Sequence, residues 1–499
     1  MAADNPDPLR APPPPVRWDT VTRVHLMGIC GSAMAALAAM LAERGFEVRG
    51  SDASPYPPMS DFLAARKIPV MKGYDAPANL DWGPDVVIVG NVVRPTYPEA
   101  LAMRERGLAF ASLPEALAAL FLAGKQPIVV TGTHGKTTTS SMTAWLLEVA
   151  GLEPSFFIGG VAGNWRSNHH LGHGRPFVVE GDEYDTAFWD RGSKFLHYRP
   201  ELAAIGNLEM DHADIFADVE AVEATFTRFA RLVPPHGRLV VPAWEARARR
   251  AASATSATVQ ETFIAHSAAD AGPAGATVAR NVQPTPEGTR FELHLPGHDP
   301  VDVTLPIAGR HNVMNALVAA SLAAAAGADP ATFPRAFATF ELPYKRLTTR
   351  GEVAGIPVVD DFAHHPTAIA ATIDAIRQRY PGRRLVALFE AQSNTARRKV
   401  FQDGFGVALA RADRVWFKRA LEKASDPLPV ADRLDLGELC QGLVSRGVEA
   451  TVIPEVQALA EAVVADARPG DVLLVMSGRD FEGIHRRLLE GLEHRFGGG

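Results

Sequence analysis

Residues Gly132 to Thr139 read GTHGKTTT and follow an apolar stretch, Pro127 to Val130, that ends where a helix can begin, at Thr137. Glycines let a backbone curl until several N–H groups face one phosphate, and a helix N-terminus adds partial positive charge. In such a loop a lysine reaches the β- and γ-phosphates of a nucleoside triphosphate, and the following hydroxyl ligates Mg²⁺. Gly132, Thr133, His134, Gly135, Lys136, Thr137 and Thr138 are therefore the expected ATP-phosphate set. The spacing is not the full Walker pattern, because Val130 stands where a glycine is required. The alternative is a plain strand–turn–helix corner, and Gly-Lys-Thr-Thr directly after an apolar strand argues against it.

A second turn, GICGSAM from Gly28 to Met34, offers weaker chemistry. A dinucleotide fingerprint needs three glycines at set spacing; here those positions hold Gly28, Cys30 and Ala33. A nicotinamide oxidoreductase thus loses its main support. The turn still suits a diphosphate held by backbone N–H groups. Gly28, Cys30, Gly31, Ser32 and Met34 form that set, with Asp52 as an acceptor for a nucleoside and Asn91 added at a neighbouring strand end. A purely structural turn stays open.

Carboxylates and histidines lie behind the phosphate loop in EGDEYD, Glu180 to Asp185, and NLEMDH, Asn207 to His212. Mg²⁺ takes hard oxygen ligands and keeps waters. Glu180, just past an apolar strand, joins Thr137 as an expected ligand, and His212 is expected to hold a second metal or orient an acceptor carboxylate. Acidic loops are commonly just solvated, and a lone histidine is commonly structural; position at strand ends is what lifts both. In GRHNVMNAL, Asn312 and Asn315 face one side of an Ala-rich helix, where amides can read a purine edge. A helix N-cap at Asn312 is an equal alternative. In DDFAHHP, Asp361 is the expected partner of ribose hydroxyls, and His364 and His365 precede a helix-starting proline. Arg346 completes the ATP set.

Strands alternating with helices must position these residues, which implies parallel, doubly wound sheets. The expected class is α/β with three domains: a Rossmann-like domain over 21–122, a central P-loop ATPase-like domain over 123–343 and a C-terminal doubly wound domain over 344–499. A solvated tail is expected over 1–20, where prolines cluster. Ala251 to Gly288, rich in Ala, Thr, Ser and Pro, reads as an irregular or short-stranded excursion. Hydrophobic residues make up 47% and charged residues 21%, as in an ordinary soluble protein, and the net charge of -7 gives no footprint for nucleic acid. The two cysteines, Cys30 and Cys440, form no ligand cluster and fit reduced cytosolic thiols. No apolar run reaches the roughly 18 residues of a membrane span, and the N-terminus lacks the basic start and apolar core of a signal peptide. A cytoplasmic location without membrane insertion is expected.

Taken in order, GxxGxxM, GTHGKTT, ExDE, a DH pair, HNxxN and DDxxHHP resemble the Mur ligase family from about Val24 to Phe496. The resemblance implies an ATP- and Mg²⁺-dependent amide-forming ligase acting on UDP-N-acetylmuramate, monomeric or weakly homo-oligomeric. One branch of that family adds L-alanine; another adds the murein tripeptide L-alanyl-γ-D-glutamyl-meso-diaminopimelate. YPPMS at Tyr56–Ser60, DEYD at Asp182–Asp185, SKFLHY at Ser193–Tyr198, DHADIF at Asp211–Phe216 and SNT at Ser393–Thr395 look like the tripeptide branch. That implies peptide contacts from Ser393, Asn394, Arg397, His364 and His365. Ala391, Gln392 and the GRDF of Gly478–Phe481 depart from the pattern. No lysine stands between Lys194 and Lys345, which agrees with members that manage without a carbamylated lysine. A non-catalytic nucleotide-binding regulator is the rival of another class.

Overall fold

The structure is a computed structural model describing residues 8–211, 215–267, 270–393, 395–419 and 428–497. The chain divides into two compact units: Met1–Leu208 with Glu220–Thr262 and Val318–Phe333, and Glu209–Val219 with Phe263–Leu317 and Pro334–Gly499.

The first unit holds a five-stranded sheet in the order Val70–Lys72, Glu47–Asp52, Arg23–Met27, Val86–Val89, Ala109–Ser112, and every pairing is parallel. Val86, Val87, Ile88 and Val89 are fully buried, as befits a parallel strand covered on both faces. Helix Ser32–Glu43 follows the central strand and buries Met34 through Leu41 almost completely. The same unit carries a second sheet in the order Thr258–Ile264, Arg238–Pro242, Leu202–Ile205, Gln126–Thr131, Pro176–Glu180, Ser155–Ala162, Ser167–His170. Helix Lys136–Val149 rises from the end of Gln126–Thr131.

Residues 8–20 are not a free tail: Pro8–Arg10 and Trp18–Thr20 form 3-10 turns, and Arg104 donates to the Ala11 carbonyl at 2.7 Å. Of the two forms expected for Ala251 to Gly288, the structure has the short-stranded one: it contains strands Thr258–Ile264 and Thr277–Thr285. The alternation of Thr258–Ile264 was hidden because two of its inward positions are polar, Gln260 and Thr262. Burial of Gln260 is tolerated because Arg238 donates to its side-chain carbonyl at 2.8 Å.

In the second unit, Thr277–Thr285, Gly288–His294 and Val301–Leu305 form an antiparallel meander. Its six-stranded sheet runs Thr348–Val353, Ile356–Asp361, Val472–Ser477, Leu385–Glu390, Arg414–Lys418, Glu449–Ile453, parallel except for the antiparallel edge strand Thr348–Val353. Its core joins Val358, Leu388 and Val475 to Leu459, Leu488 and Leu492 from helices Val456–Asp466 and Ile484–Phe496.

Candidate functional site

Gly132 sits at φ +128°, and a Cβ there would come within 2.9 Å of the Gly206 nitrogen, so this corner admits only glycine. Asn207 braces the loop from the neighbouring strand end. Its carbonyl accepts from Thr133 N–H at 2.8 Å, and its side-chain oxygen accepts from His134 N–H at 2.9 Å. Gly135 caps the helix in the left-handed region, φ +81°. The N–H groups of Lys136, Thr137 and Thr138 then lie in the first helical turn, where helix geometry provides no internal acceptor.

The charges around them are already compensated. Lys136 Nζ donates to Glu183 at 2.9 and 3.1 Å and to the carbonyl of Gly132 at 2.8 Å. Its side chain is 11% exposed and that of Glu183 is 4% exposed. Burial alone would lower the Lys136 pKa, but Glu183, Asp182 and Glu180 outweigh it and hold the ammonium above its ordinary value. Glu180 accepts from the Thr137 hydroxyl at 3.0 Å and from Gly159 N–H at 2.8 Å. Burial, with the charge of Asp182, pushes the Glu180 carboxyl up to about 7. Two glycines leave room over this pair: a Cβ on Gly159 would meet the Glu180 oxygens at 3.3 Å, and one on Gly160 would meet Thr137 Cγ2 at 2.7 Å. Hard oxygen donors beneath a glycine cradle fit a small divalent cation. Glu183 and the Gly159–Gly160 pair had no assigned role in the sequence, although Glu183 stands in ExDE and the glycines in FIGGVAG, Phe157 to Gly163.

The first glycine turn is held differently. Gly28 N–H and Ile29 N–H both donate to the Ser51 carbonyl, at 2.8 and 3.1 Å, and Gly31 N–H donates to the Gly28 carbonyl at 3.1 Å. Asp52 accepts from Cys30 N–H at 2.9 Å and from Ser54 N–H at 3.1 Å. The amides of Gly28, Cys30 and Gly31 therefore shape the turn. The open donors are those of Ser32, Ala33 and Met34 in the first turn of the helix. Asp52 is a bracket for this turn, and Asn91 is exposed beyond strand Val86–Val89.

The third sheet's strand ends bring together His364, Ser393 and Gly478; a Cβ on Gly478 would lie 3.7 Å from the His364 ring and 3.9 Å from Ser393 Cβ. Asp361, the expected partner of ribose hydroxyls, is turned inward: it accepts from Leu347 and Ala363 N–H at 2.8 Å each and from the Thr372 hydroxyl at 3.2 Å. His365 is 5% exposed; it caps helix Pro366–Arg379, meets the Met210 carbonyl at 3.2 Å and lies 3.4 Å from the Glu209 carboxylate. Thr395 donates to Asp211, joining the SNT segment to the DH segment. Arg397 and Arg398 are half-buried. Arg346 lies over the Phe362 ring at 4.7 Å. Helix Arg310–Ala325 begins before Asn312, which rules out the N-cap alternative. Asn312 holds the Ala308 carbonyl at 2.8 Å, and Asn315 donates to Asn312 at 3.3 Å. A buried pair missed by the sequence reading, Glu390 and Lys418, lies 3.0 Å apart at two adjacent strand ends. His212 and Asn394 lie outside the described residues.

A phosphate loop with a buried lysine, an oxygen-lined cradle and a second glycine turn on a separate parallel sheet define a nucleotide-using α/β enzyme of several domains. The sequence matches the Mur ligase family catalytic domain over residues 23–125, the Mur ligase middle domain over 130–323 and the Mur ligase glutamate ligase domain over 345–479. The chain belongs to the Mur ligase family, with its three-domain α/β architecture. It is 39% identical to the UDP-N-acetylmuramate–L-alanyl-γ-D-glutamyl-meso-2,6-diaminoheptandioate ligase of Escherichia coli K12, over 94% of this chain and 98% of that protein. It is 37% identical to the UDP-N-acetylmuramate–L-alanine ligase of Kineococcus radiotolerans, over 95% and 97%. Among solved structures, the murein peptide ligase of Psychrobacter arcticus 273-4 superposes with a TM-score of 0.70 at 32% identity, covering 94% of this chain and 98% of that one. No helix among the described residues is long and apolar enough to cross a membrane.

Proposed function

We propose that this chain is an ATP-dependent ligase that joins the lactyl carboxylate of UDP-N-acetylmuramate to the L-alanine amine of L-alanyl-γ-D-glutamyl-meso-diaminopimelate, returning recycled peptide to cell-wall synthesis in the cytoplasm. The observation that carries this reading is the Lys136–Glu183 and Thr137–Glu180 pairing at a helix N-terminus, in a chain that aligns over 94% of its length with a ligase of that name.

Two steps follow from the chemistry. A lactyl carboxylate oxygen attacks the γ-phosphorus of ATP; the bond to the β,γ-bridging oxygen breaks, leaving ADP and an acyl phosphate. The amine nitrogen then attacks the acyl carbon, phosphate leaves, and the nitrogen loses a proton as the amide forms. The first step brings two anions together, so its barrier is mainly electrostatic and positional. Lys136, released from Glu183, follows the charge on the γ-phosphoryl oxygens. The amides of Lys136, Thr137 and Thr138 cradle the phosphates. Thr137 and Glu180 would hold Mg²⁺, which supplies charge neutralisation at the phosphates when bound. The amides of Ser32, Ala33 and Met34 take the diphosphate of the UDP-sugar. Asn315 reads the adenine edge, and His364, Ser393 and Arg397 border the peptide, with Arg397 as the fork for a carboxylate.

The 37% identity to an alanine-adding enzyme supports a second reading in which free L-alanine is the acceptor. Phosphate release with UDP-N-acetylmuramate and ATP, plus either the tripeptide or L-alanine, separates the two. Far better turnover of tripeptide is expected; preferred turnover of L-alanine would overturn the assignment in favour of the second reading.

A further inference from the structure

Two residues past Glu183 begins a hairpin, Asp185–Ala187 against Asp190–Ser193, that forms a two-stranded sheet of its own. The hairpin is closed onto the phosphate site at its base: the Ser193 hydroxyl donates to the Glu183 carbonyl at 2.9 Å. It is stiff along its length, since the Thr186 hydroxyl donates to the Gly192 carbonyl at 2.8 Å and Asp190 accepts from Gly192 N–H at 2.8 Å. Its tip, Phe188 and Trp189, does not rest on the sheet that carries the phosphate loop. Phe188 is buried in the core of the first sheet with Met27, Val87, Val89 and Phe110, and Trp189 packs against the same cluster. Trp189 meets Phe110 edge-on at 5.0 Å and 79°, and Phe188 edge-on at 4.8 Å and 86°. The Arg104 guanidinium lies over the Phe110 and Phe188 rings, at 4.8 and 5.5 Å. Met27, in that cluster, immediately precedes Gly28 of the first glycine turn.

One short, braced hairpin thus has the counter-ion of Lys136 at its base and the floor of the UDP-sugar turn at its tip. Aromatic pairs of this geometry add directional contact to their burial, and a packed core responds to displacement by shifting as a body. We propose that Trp189 is a positioning residue: through the hairpin it registers the Glu183–Lys136 pair against the Gly28 turn, so that the occupied UDP-sugar site raises the affinity of the phosphate loop for ATP. This rests on the ligase reading given above. The coupling is reciprocal by thermodynamic necessity.

The test is calorimetric titration of the full chain with the β,γ-methylene analogue of ATP and Mg²⁺, with and without saturating UDP-N-acetylmuramate. In the parent, the UDP-sugar is expected to tighten the analogue by about 5-fold or more. Trp189→Ala is expected to bring that factor to within roughly twofold of unity while leaving the affinity for the analogue alone unchanged, and Trp189→Phe is expected to restore it. A merely structural role would lower melting temperature without changing the factor. A folded Trp189→Ala variant with the parental factor overturns the proposal, as does a parent that binds both ligands without coupling. If Trp189→Ala fails to fold, Trp189→Leu carries the same comparison, with loss of coupling expected and a parental factor overturning the proposal. A parent that does not bind the UDP-sugar at all would instead overturn the ligase reading.

Discussion

The turn at Gly28 and the loop at Gly132 each carry a parallel strand into a helix, and each leaves the first-turn amides of that helix open. They differ in charge. The Gly132 loop holds a cation, Lys136, within a nest of Glu180, Asp182 and Glu183. The Gly28 turn is braced by one carboxylate, Asp52, whose two oxygens are engaged by backbone N–H groups. A diphosphate that is only bound needs fixed dipoles. A phosphoryl group in transfer changes its charge distribution, so its site needs a charge that can move with it, kept in check until substrate arrives. On the function proposed above, the same backbone motif serves for holding in one place and for transfer in the other, and the neighbouring side chains decide which.

The largest expected effect comes from removing the mobile charge. Lys136→Ala is expected to lower ligation by about 10³-fold. Because Lys136 and Glu183 are buried together, the variant also leaves a carboxylate without its partner and is expected to lose about 3 kcal/mol of stability. The position is not the exposed loop site that Gly-Lys-Thr alone suggests. Lys136→Ala combined with Glu183→Gln is expected to regain stability in denaturant titration without regaining phosphate release. Full activity in either variant would break the distinction between the two turns.

Much of this was legible because strong local signals coincide with the strand ends. Leu202–Ile205 stands out as a short apolar run between polar breaks, and Gly-Lys-Thr-Thr announces its own loop. What was not legible depends on partners distant in sequence. Asp361 reads as an open carboxylate until Leu347, Ala363 and Thr372 are seen around it. Asp52 reads as a nucleoside acceptor until it is found bracing Cys30. Glu183 is one acid among several in EGDEYD, and only the fold places it against Lys136. Strand Thr258–Ile264 hides its period because Gln260 points inward and is satisfied by Arg238. The hairpin tip Phe188–Trp189 carries no sequence signal of its partner, and only the fold places it at the core of the first sheet.

A smaller effect is expected at the holding turn. Asp52→Ala removes the acceptor for Cys30 N–H and Ser54 N–H and loosens the turn without touching the phosphate loop. Hydrogen bonds of this kind contribute about 1–1.5 kcal/mol, so KM for UDP-N-acetylmuramate is expected to rise about tenfold. The value of kcat at saturation is expected to stay within roughly twofold, since uniform binding is what has been lost. Steady-state kinetics with the UDP-sugar varied will show it. A kcat that falls as far as in Lys136→Ala would mean that both turns take part in transfer.

The smallest effect is a control at the start of strand Arg23–Met27, whose other end leads into the Gly28 turn. Asp85 accepts from Thr22 N–H at 2.9 Å, from Arg23 N–H at 2.8 Å and from the Thr22 hydroxyl at 2.9 Å, a backbone bracket like that of Asp52 but at the other end of strand Arg23–Met27 from the Gly28 turn. The backbone amides of Thr22 and Arg23 hold its carboxyl well below the usual carboxylate range. A carboxylate with a depressed folded-state pKa stabilises the fold above its unfolded value and loses that contribution as pH falls toward the folded one. Asp85→Asn is therefore expected to cost about 1–2 kcal/mol at pH 7, with the exposed Arg23 pair adding little because solvent screens it. The gap between parent and variant is expected to narrow as pH drops below about 4, where the unfolded parent begins to take up the proton. KM for UDP-N-acetylmuramate should not move in this variant. Thermal unfolding across that pH range, paired with kinetics at pH 7, separates a bracket that only holds a strand from one that also shapes a binding turn; a KM shift matching that of Asp52→Ala would show that stability of the first sheet, and not the Cys30 bracket, sets the affinity of the turn.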